Sequence, residues 1–415
     1  MTGSPSPYAP GIIADDRPAP RPAGRLVVFL VATFVSTVVA SGTLLFERAQ
    51  QAELENGTKR MMFLSLAAGA PRLMMLLWAF LSDRFPLWGT RREGYVLFTA
   101  LLAPIAWLLT TVGGDRLAAW IVAATIFGAA SAISHAATSG AVAEIGQRRA
   151  ATGRVGAAYL AIAQLGVVAT FGMSAASELA SPWLATGAAI GLSLAVVALI
   201  IVLPEDGTAP PPPAPTVRPS IPRFLGSRAF WGSFAVCALA GAATVPKELV
   251  VEPQQTAEGA AVYSALAPWL VHACFIGAAA IYFLVCRLIR FGILLRVTLV
   301  AKAVALLAYP MLAGAGSASI AFIARATANG LLSAALLDLA LRVAPPGREA
   351  FGTILLASVT GVVIFVTNAL ADRLGVPDTR VATFAAAAAI AAALAAILLP
   401  RRFVEGPDGR DIKLG

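Results

Sequence analysis

The chain has 415 residues, 58% of them apolar and 13% charged, with a mean hydropathy of +0.79. Soluble domains carry roughly 25% charged residues, so a soluble class is excluded; the long Ala/Leu/Val/Gly-rich runs, not short and alternating, exclude an outer-membrane barrel and fit membrane helices of about 20 residues each. The net charge of +9 does not mark a nucleic-acid-binding protein, because the arginines stand at the ends of apolar runs and not in one basic domain.

Residues 1–25 are polar and Pro-rich, without the compact apolar core of a cleavable signal peptide, and read as a disordered cytoplasmic segment. The first apolar span then serves as its own uncleaved signal. Twelve spans follow, at 26–46, 61–81, 94–113, 116–143, 155–177, 182–203, 229–250, 259–286, 292–313, 317–343, 350–371 and 379–400. Small residues inside them, such as Gly128-Ala129-Ala130 and the alanine run from Ala385 to Ala393, let membrane helices approach closely. The stretch Pro204–Pro222 contains Pro210 to Pro213, which cannot pack as helix and reads as an extended linker. The chain therefore divides into a six-helix bundle at 26–203, a Pro-rich linker at 204–228, a second six-helix bundle at 229–400 and a tail at 401–415. A linker between two equal bundles points to two parallel halves around a central cavity. Cys237, Cys274 and Cys286 fall in or beside apolar spans with no metal-ligand spacing, and read as small buried residues.

Counting Arg and Lys between spans orients the chain. With the N-terminus inside, the inner segments hold about twenty basic residues; the outer ones hold about seven (Arg48, Lys59, Arg60, Arg116, Lys247, Arg373 and Arg380). Both termini and the linker are expected in the cytoplasm.

The inner loops carry compact charged turns. Asp83 and Arg84 end the second span, Gly89 follows, and Arg91-Arg92 open the third. An acid at one helix end can pair with arginines on a neighbouring end, closing the cytoplasmic face in one conformation and breaking in the other. Glu144 with Arg148, Arg149 and Arg154, and Arg348 with Glu349, form similar clusters. Their simpler role is that of topology signals and helix caps.

The pattern Ser82-Asp83-Arg84-Phe85-Pro86, Gly89, Arg91-Arg92, Tyr95 resembles the signature between the second and third helices of the folate–biopterin transporter family, a branch of the major facilitator superfamily. Phe85-Pro86-Leu87-Trp88 matches that family's proline-bearing insert. Ala344-Pro345-Pro346-Gly347-Arg348-Glu349 through Gly352-Thr353 is similar to its Cys-Pro-x-Gly-x-Glu-Gly-Thr stretch, with Ala344 for the Cys, and the run from Val142 to Gly153 is similar to its acidic segment after helix four. Two positions depart from the family: Met75 stands where a lysine is usual, with Arg72 one turn earlier on the same face, and Ser139 stands where an aspartate is usual. The resemblance implies the major facilitator fold and a folate or pterin as solute.

Ionisable groups at mid-bilayer cost about 2.5–3.5 kcal/mol or more, so they face a cavity or a partner. Arg72, Arg325 and His272 are central in spans two, ten and eight; His135 and Asp338 lie in the inner parts of spans four and ten; Lys302 lies in span nine. Arg72 and Arg325, from opposite halves, can clamp an anion, or each can be a structural pair with an acid, a carbonyl or lipid. His272 is a candidate for substrate contact and for carrying a coupling proton, as are His135 and Asp338 for the proton; satisfied buried imidazoles are the alternative. Lys302 reads as a snorkelling or internally paired cation. The Lys247-Glu248 and Glu252 group reads as outer-mouth surface, and Tyr159 and Trp78 as packing residues.

Together these readings describe an all-α membrane protein with twelve transmembrane helices in two six-helix bundles, a secondary transporter working by alternating access. The excess of buried cations over buried acids favours an anionic solute. The expected partners are a small-molecule solute, membrane lipid and protons, for a monomer without cofactor, metal or nucleic acid. No paired carboxylates, His cluster or activated nucleophile suggests an enzyme. The alternatives are a major facilitator carrier of a sugar, peptide fragment or drug, and a non-transporting membrane sensor.

Overall fold

The structure, a computed structural model, describes residues 23–40, 58–113, 116–179, 182–202, 221–244, 257–308, 315–374 and 378–400. The expected N-terminal segment, most of the linker, the tail and the Lys247, Glu248 and Glu252 group lie outside the described residues.

In the first half, α1 (Ala23–Ala40), α2 (Thr58–Leu73), α3 (Met75–Arg84), α4 (Glu93–Gly113), α5 (Leu117–Arg148), α6 (Thr152–Leu179) and α7 (Pro182–Val202) follow the expected spans. Span two differs from the expectation of one continuous helix. Pro71 lies inside α2, and a proline removes a backbone donor and crowds the preceding turn. The helix breaks at Met74 and restarts as α3. In the second half the short α8 (Ile221–Leu225) precedes α9 (Arg228–Ala242), whose N-cap Ser227 accepts from the Phe230 N–H. Then come α10 (Ala257–Val285), α11 (Phe291–Ala308), α12 (Ala315–Val343), α13 (Glu349–Leu374) and α14 (Asp378–Ala395), the last running into a 3₁₀ turn at Ala396–Leu398. Among the described residues, seven helices are long and apolar enough to cross a membrane, and four shorter apolar ones accompany them. Length and composition do not by themselves fix the count at twelve.

Each half builds its own core. The first packs Phe29, Val96, Trp107 and Phe127, with the Trp107 and Phe127 rings edge-on at 5.7 Å. The second packs Phe230, Tyr282, Leu295 and Leu299. Helices α4, α7, α11 and α14 pack within their own halves, whereas two seams join the halves. Along one, α3 and α5 meet α13 through Ala79, Ala136, Ala350 and Ile354. Along the other, α6 meets α10 and α12. Small side chains at both seams let the backbones approach.

Candidate functional site

The charged turn between α3 and α4 is shaped by its backbone. Leu87 and Thr90 exchange both backbone hydrogen bonds, at 2.9 and 3.1 Å, around Trp88 (φ +50°) and Gly89 (φ +79°). Two central residues with positive φ make a type I′ turn, where glycine is at home. The Thr90 hydroxyl accepts from the Gly94 N–H, and the Tyr95 hydroxyl donates to the Phe85 carbonyl, which fixes the entry to α4. Arg91 and Arg92 are thereby delivered beneath the end of α3.

Arg92 is fully buried, 0% exposed, and meets three carboxylates: Glu349 at 2.7 Å, Asp83 at 3.2 Å and Glu144 at 3.3 Å. Glu349 opens α13 in the other half, so its contact with Arg92 crosses the molecule. Asp83 crosses as well, accepting the N–H groups of Phe351 at 2.9 Å and Ala350 at 3.3 Å in the first turn of α13. A carboxylate there satisfies orphan donors and complements the helix dipole. Arg91 donates to the Asp83 carbonyl at 3.0 Å and, across the halves, to the Gly347 carbonyl at 2.7 Å. Gly347, at φ +82°, donates its N–H to Glu349. Arg148 closes the cluster on Glu144 at 2.6 Å. Asp83, Glu144 and Glu349 thus face the buried Arg92, with the half-buried Arg91 and the exposed Arg148 at the edge of the cluster. Burial raises the Asp83 carboxyl above its ordinary 3.8, outweighing Arg92 and the Phe351 N–H, which lower it. For Arg92 burial acts to lower the value, but Glu349, Asp83 and Glu144 prevail and it is raised.

Of the expected gate residues, Asp83, Arg91, Arg92, Glu144 and Glu349 therefore meet in one network. Gly89 shapes it. Arg348 lies beside it, its guanidinium 5.3 Å from the Phe80 ring. Arg84 is exposed and lies over Phe85. The interior residues are dispersed. His272 on α10 bonds Gln164 on α6, Nδ1 to Oε1 at 2.6 Å, across the halves at mid-helix depth. His135 Nδ1 bonds the Tyr159 hydroxyl at 2.8 Å, within the first half. Asp338 is buried and accepts from Tyr282 at 2.9 Å and from Arg342 at 2.8 Å, within the second half. Lys302, 0% exposed, donates to Asn329. Arg72 is exposed in the last turn of α2, which packs on α5, whereas Arg325 is buried in α12, which packs on α6, α10, α11 and α13. Met75 is half-buried at the start of α3, and the Ser139 hydroxyl bonds the His135 carbonyl at 2.6 Å.

Sequence reasoning missed Gln147 and Gln164, both of which reach across the halves, and Gly140, which gives Arg92 its space. Gln164 carried a signal, as an isolated amide in an apolar span. A small, mostly apolar cavity, lined by Val35, Val96, Phe127 and Val196 with Ser131 and Ser193 among its hydroxyls, lies inside the first half and holds none of the expected residues.

A model of the BT1 family matches residues 49–283, more than half of the chain. Among solved structures, the chain is similar to the E. coli fucose:proton symporter at 15% identity and a TM-score of 0.63, over 91% of this chain and 98% of that one. It is also similar to a bacterial homologue of the iron transporter ferroportin, in an outward-facing state with soaked iron, at 14% identity and a TM-score of 0.66, over the same shares. These identities carry the fold, that of the major facilitators, in a multi-pass membrane protein. No curated protein matches the chain.

Proposed function

Since this chain belongs to the BT1 family, the folate–biopterin transporters, and is a membrane transporter and not an enzyme, we propose that it carries a small organic anion, first a folate or pterin, by alternating access. The observation that carries the reading is the network of Asp83, Arg92 and Glu349, which ties the two halves together at the end of their interface where α3 meets the first turn of α13. A buried network of this kind is bistable: fully made it holds the end shut, and half-made it is costly, so the end is either closed or open. With the termini and linker assigned to the cytoplasm from the arginine bias, the end that the network closes is the cytoplasmic one.

Arg325 and Arg72 are the groups we assign to the anion, with His272 as a further contact. The excess of interior cations over acids supports an anionic solute. Coupling to protons is assigned to His272, whose hydrogen bond to Gln164 must break when α6 and α10 separate. His135 and Asp338 are secondary candidates, since each is satisfied inside its own half.

Uptake of radiolabelled folic acid and a reduced pterin into proteoliposomes tests the reading. A charge-assisted hydrogen bond contributes about 1.5–3 kcal/mol, so Arg325→Ala and Arg72→Ala should each weaken apparent affinity about tenfold to a hundredfold. Unchanged affinity in both sinks the anion clamp. Uptake indifferent to a collapsed pH gradient removes the proton. Competition from a panel of sugars, peptides and drugs, with none from pterins, would move the protein to another major facilitator solute.

A further inference from the structure

The ion network closes the seam between α3, α5 and α13. The second seam, between α6 and the α10–α12 pair, is closed by different chemistry. Gln147, in the last turn of α5, donates its side-chain N–H groups to the carbonyls of Leu341 at 2.6 Å and Ala344 at 2.8 Å. These carbonyls lie at the C-terminal end of α12, where the helix leaves its acceptors without intrahelical partners. An amide of one half thus caps a helix of the other.

The turn that presents Gln147 is unusual. Ala151 N–H bonds the Gly146 carbonyl and Ala150 N–H bonds the Gln147 carbonyl, the paired bonds of a Schellman ending. Its left-handed position belongs most often to glycine, and here it is Ala150, at φ +47°. The turn then feeds α6 into tight contact with the second half. A Cβ on Gly153 would lie 2.9 Å from Asp338 Oδ2 and 3.1 Å from Cys286 Cβ, and one on Gly156 would lie 3.0 Å from Leu341 Cδ1. Val142, Ala143, Ala151, Val155, Tyr159 and Leu341 seal the same place with apolar surface.

We propose that Gln147, presented by the strained Ala150 turn and backed by Gly153 and Gly156, is an uncharged second latch of the inner face, acting independently of the ion network. It rests on the alternating-access reading, and it makes Gln147 a positioning residue for the closed state. The two latches differ in kind. One is made of carboxylates and guanidiniums and responds to protonation, whereas the other is an amide on two carbonyls and does not.

Cys286 supplies a native reporter, because it is buried in this seam beside Gly153, whereas Cys237 is buried inside the second half against Thr360. The test is the rate of N-ethylmaleimide labelling of Cys286 in the full-length protein, resolved by peptide mass spectrometry, with Cys237 as the internal standard. No solute is needed, so a wrong solute assignment leaves the result intact. Losing two hydrogen bonds and stranding two carbonyls, Gln147→Leu should speed Cys286 labelling by about tenfold or more while leaving Cys237 unchanged. Ala150→Gly, which relieves the left-handed strain, should slow it by about threefold to fivefold. Labelling of Cys286 that is unmoved by Gln147→Leu overturns the proposal, as does a parallel rise at Cys237 or faster labelling in Ala150→Gly.

Discussion

Replacing Gly140 by alanine alters no charge and no hydrogen-bonding group, yet it should open the seam between α3, α5 and α13. The added Cβ would lie 2.6 Å from Ala350 Cβ and 2.8 Å from Arg92 Cζ, and deep inside contact with Arg92 Nη1. Neither neighbour can yield cheaply. Ala350 is held in the first turn of α13, and Arg92 has no solvent to retreat into. Overpacking of this kind costs about 1–3 kcal/mol. Moving Arg92 off Asp83 and Glu349 adds the cost of a broken buried pair, about 3–5 kcal/mol, and this larger effect decides the outcome. At about 1.4 kcal/mol per decade, the closed state should lose two to three decades of population relative to the open one. Hydrogen–deuterium exchange reads this directly at the amides of Ala350 and Phe351, which donate to Asp83 in the closed state. The peptide carrying them should exchange about a hundredfold faster in Gly140→Ala. Gly187→Ala on α7 is the control, since nothing lies within 4 Å of its added Cβ. Unchanged exchange in Gly140→Ala, or equal acceleration in Gly187→Ala, would refute the claim that Arg92 is locked in place by the space Gly140 leaves.

In the α3–α4 turn, Gly89→Ala meets only open space and should cost about 1 kcal/mol of left-handed strain, whereas Gly94→Ala drives a Cβ onto the Leu87 carbonyl, 2.9 Å from its carbon, and should cost several times more; thermal midpoints of the two purified variants give the order. The raised Asp83 carboxyl makes closure pH-dependent. The closed face binds that proton more tightly than the open face, so this contribution favours closure at pH below the ordinary 3.8 and is lost as pH rises through the raised value. Distances between spin labels at the exposed positions 84 and 287, with the native cysteines replaced, should show this dependence more strongly in the parent protein than in Asp83→Asn.

The apolar helices and the charge clusters at their ends were legible because each is a local pattern: an apolar run of fixed length, an acid beside paired arginines. Asp83, Arg92 and Glu349 were each singled out from such patterns. Their meeting was not legible, because it depends on Gly140 leaving space and on α13 aiming its first N–H groups at Asp83. Gln147 escaped for a sharper reason. Its acceptors are backbone carbonyls, and any residue at 341 and 344 would offer them. The break at Met74 was signalled by Pro71, yet the apolar run continues through it, and hydropathy alone joins what the backbone separates.

The placement of charge also bears on where binding energy can be used. Arg92 is compensated by three carboxylates in the closed state, so it has little left to offer a solute. Arg72 and Arg325 lie on α2 and α12, away from that network, and on opposite halves. An anion held between them would bind one half to the other at a second place, away from the seam that the ion network closes. A solute shifts a two-state equilibrium only by its difference in affinity for the two states. A bridging anion that is gripped equally in both would move nothing. The transport reading therefore requires the distance between Arg72 and Arg325 to change as the seams part, and labels at the nearby exposed positions 73 and 323, which leave both arginines in place, should report a change on addition of folic acid that is larger than any change within either half.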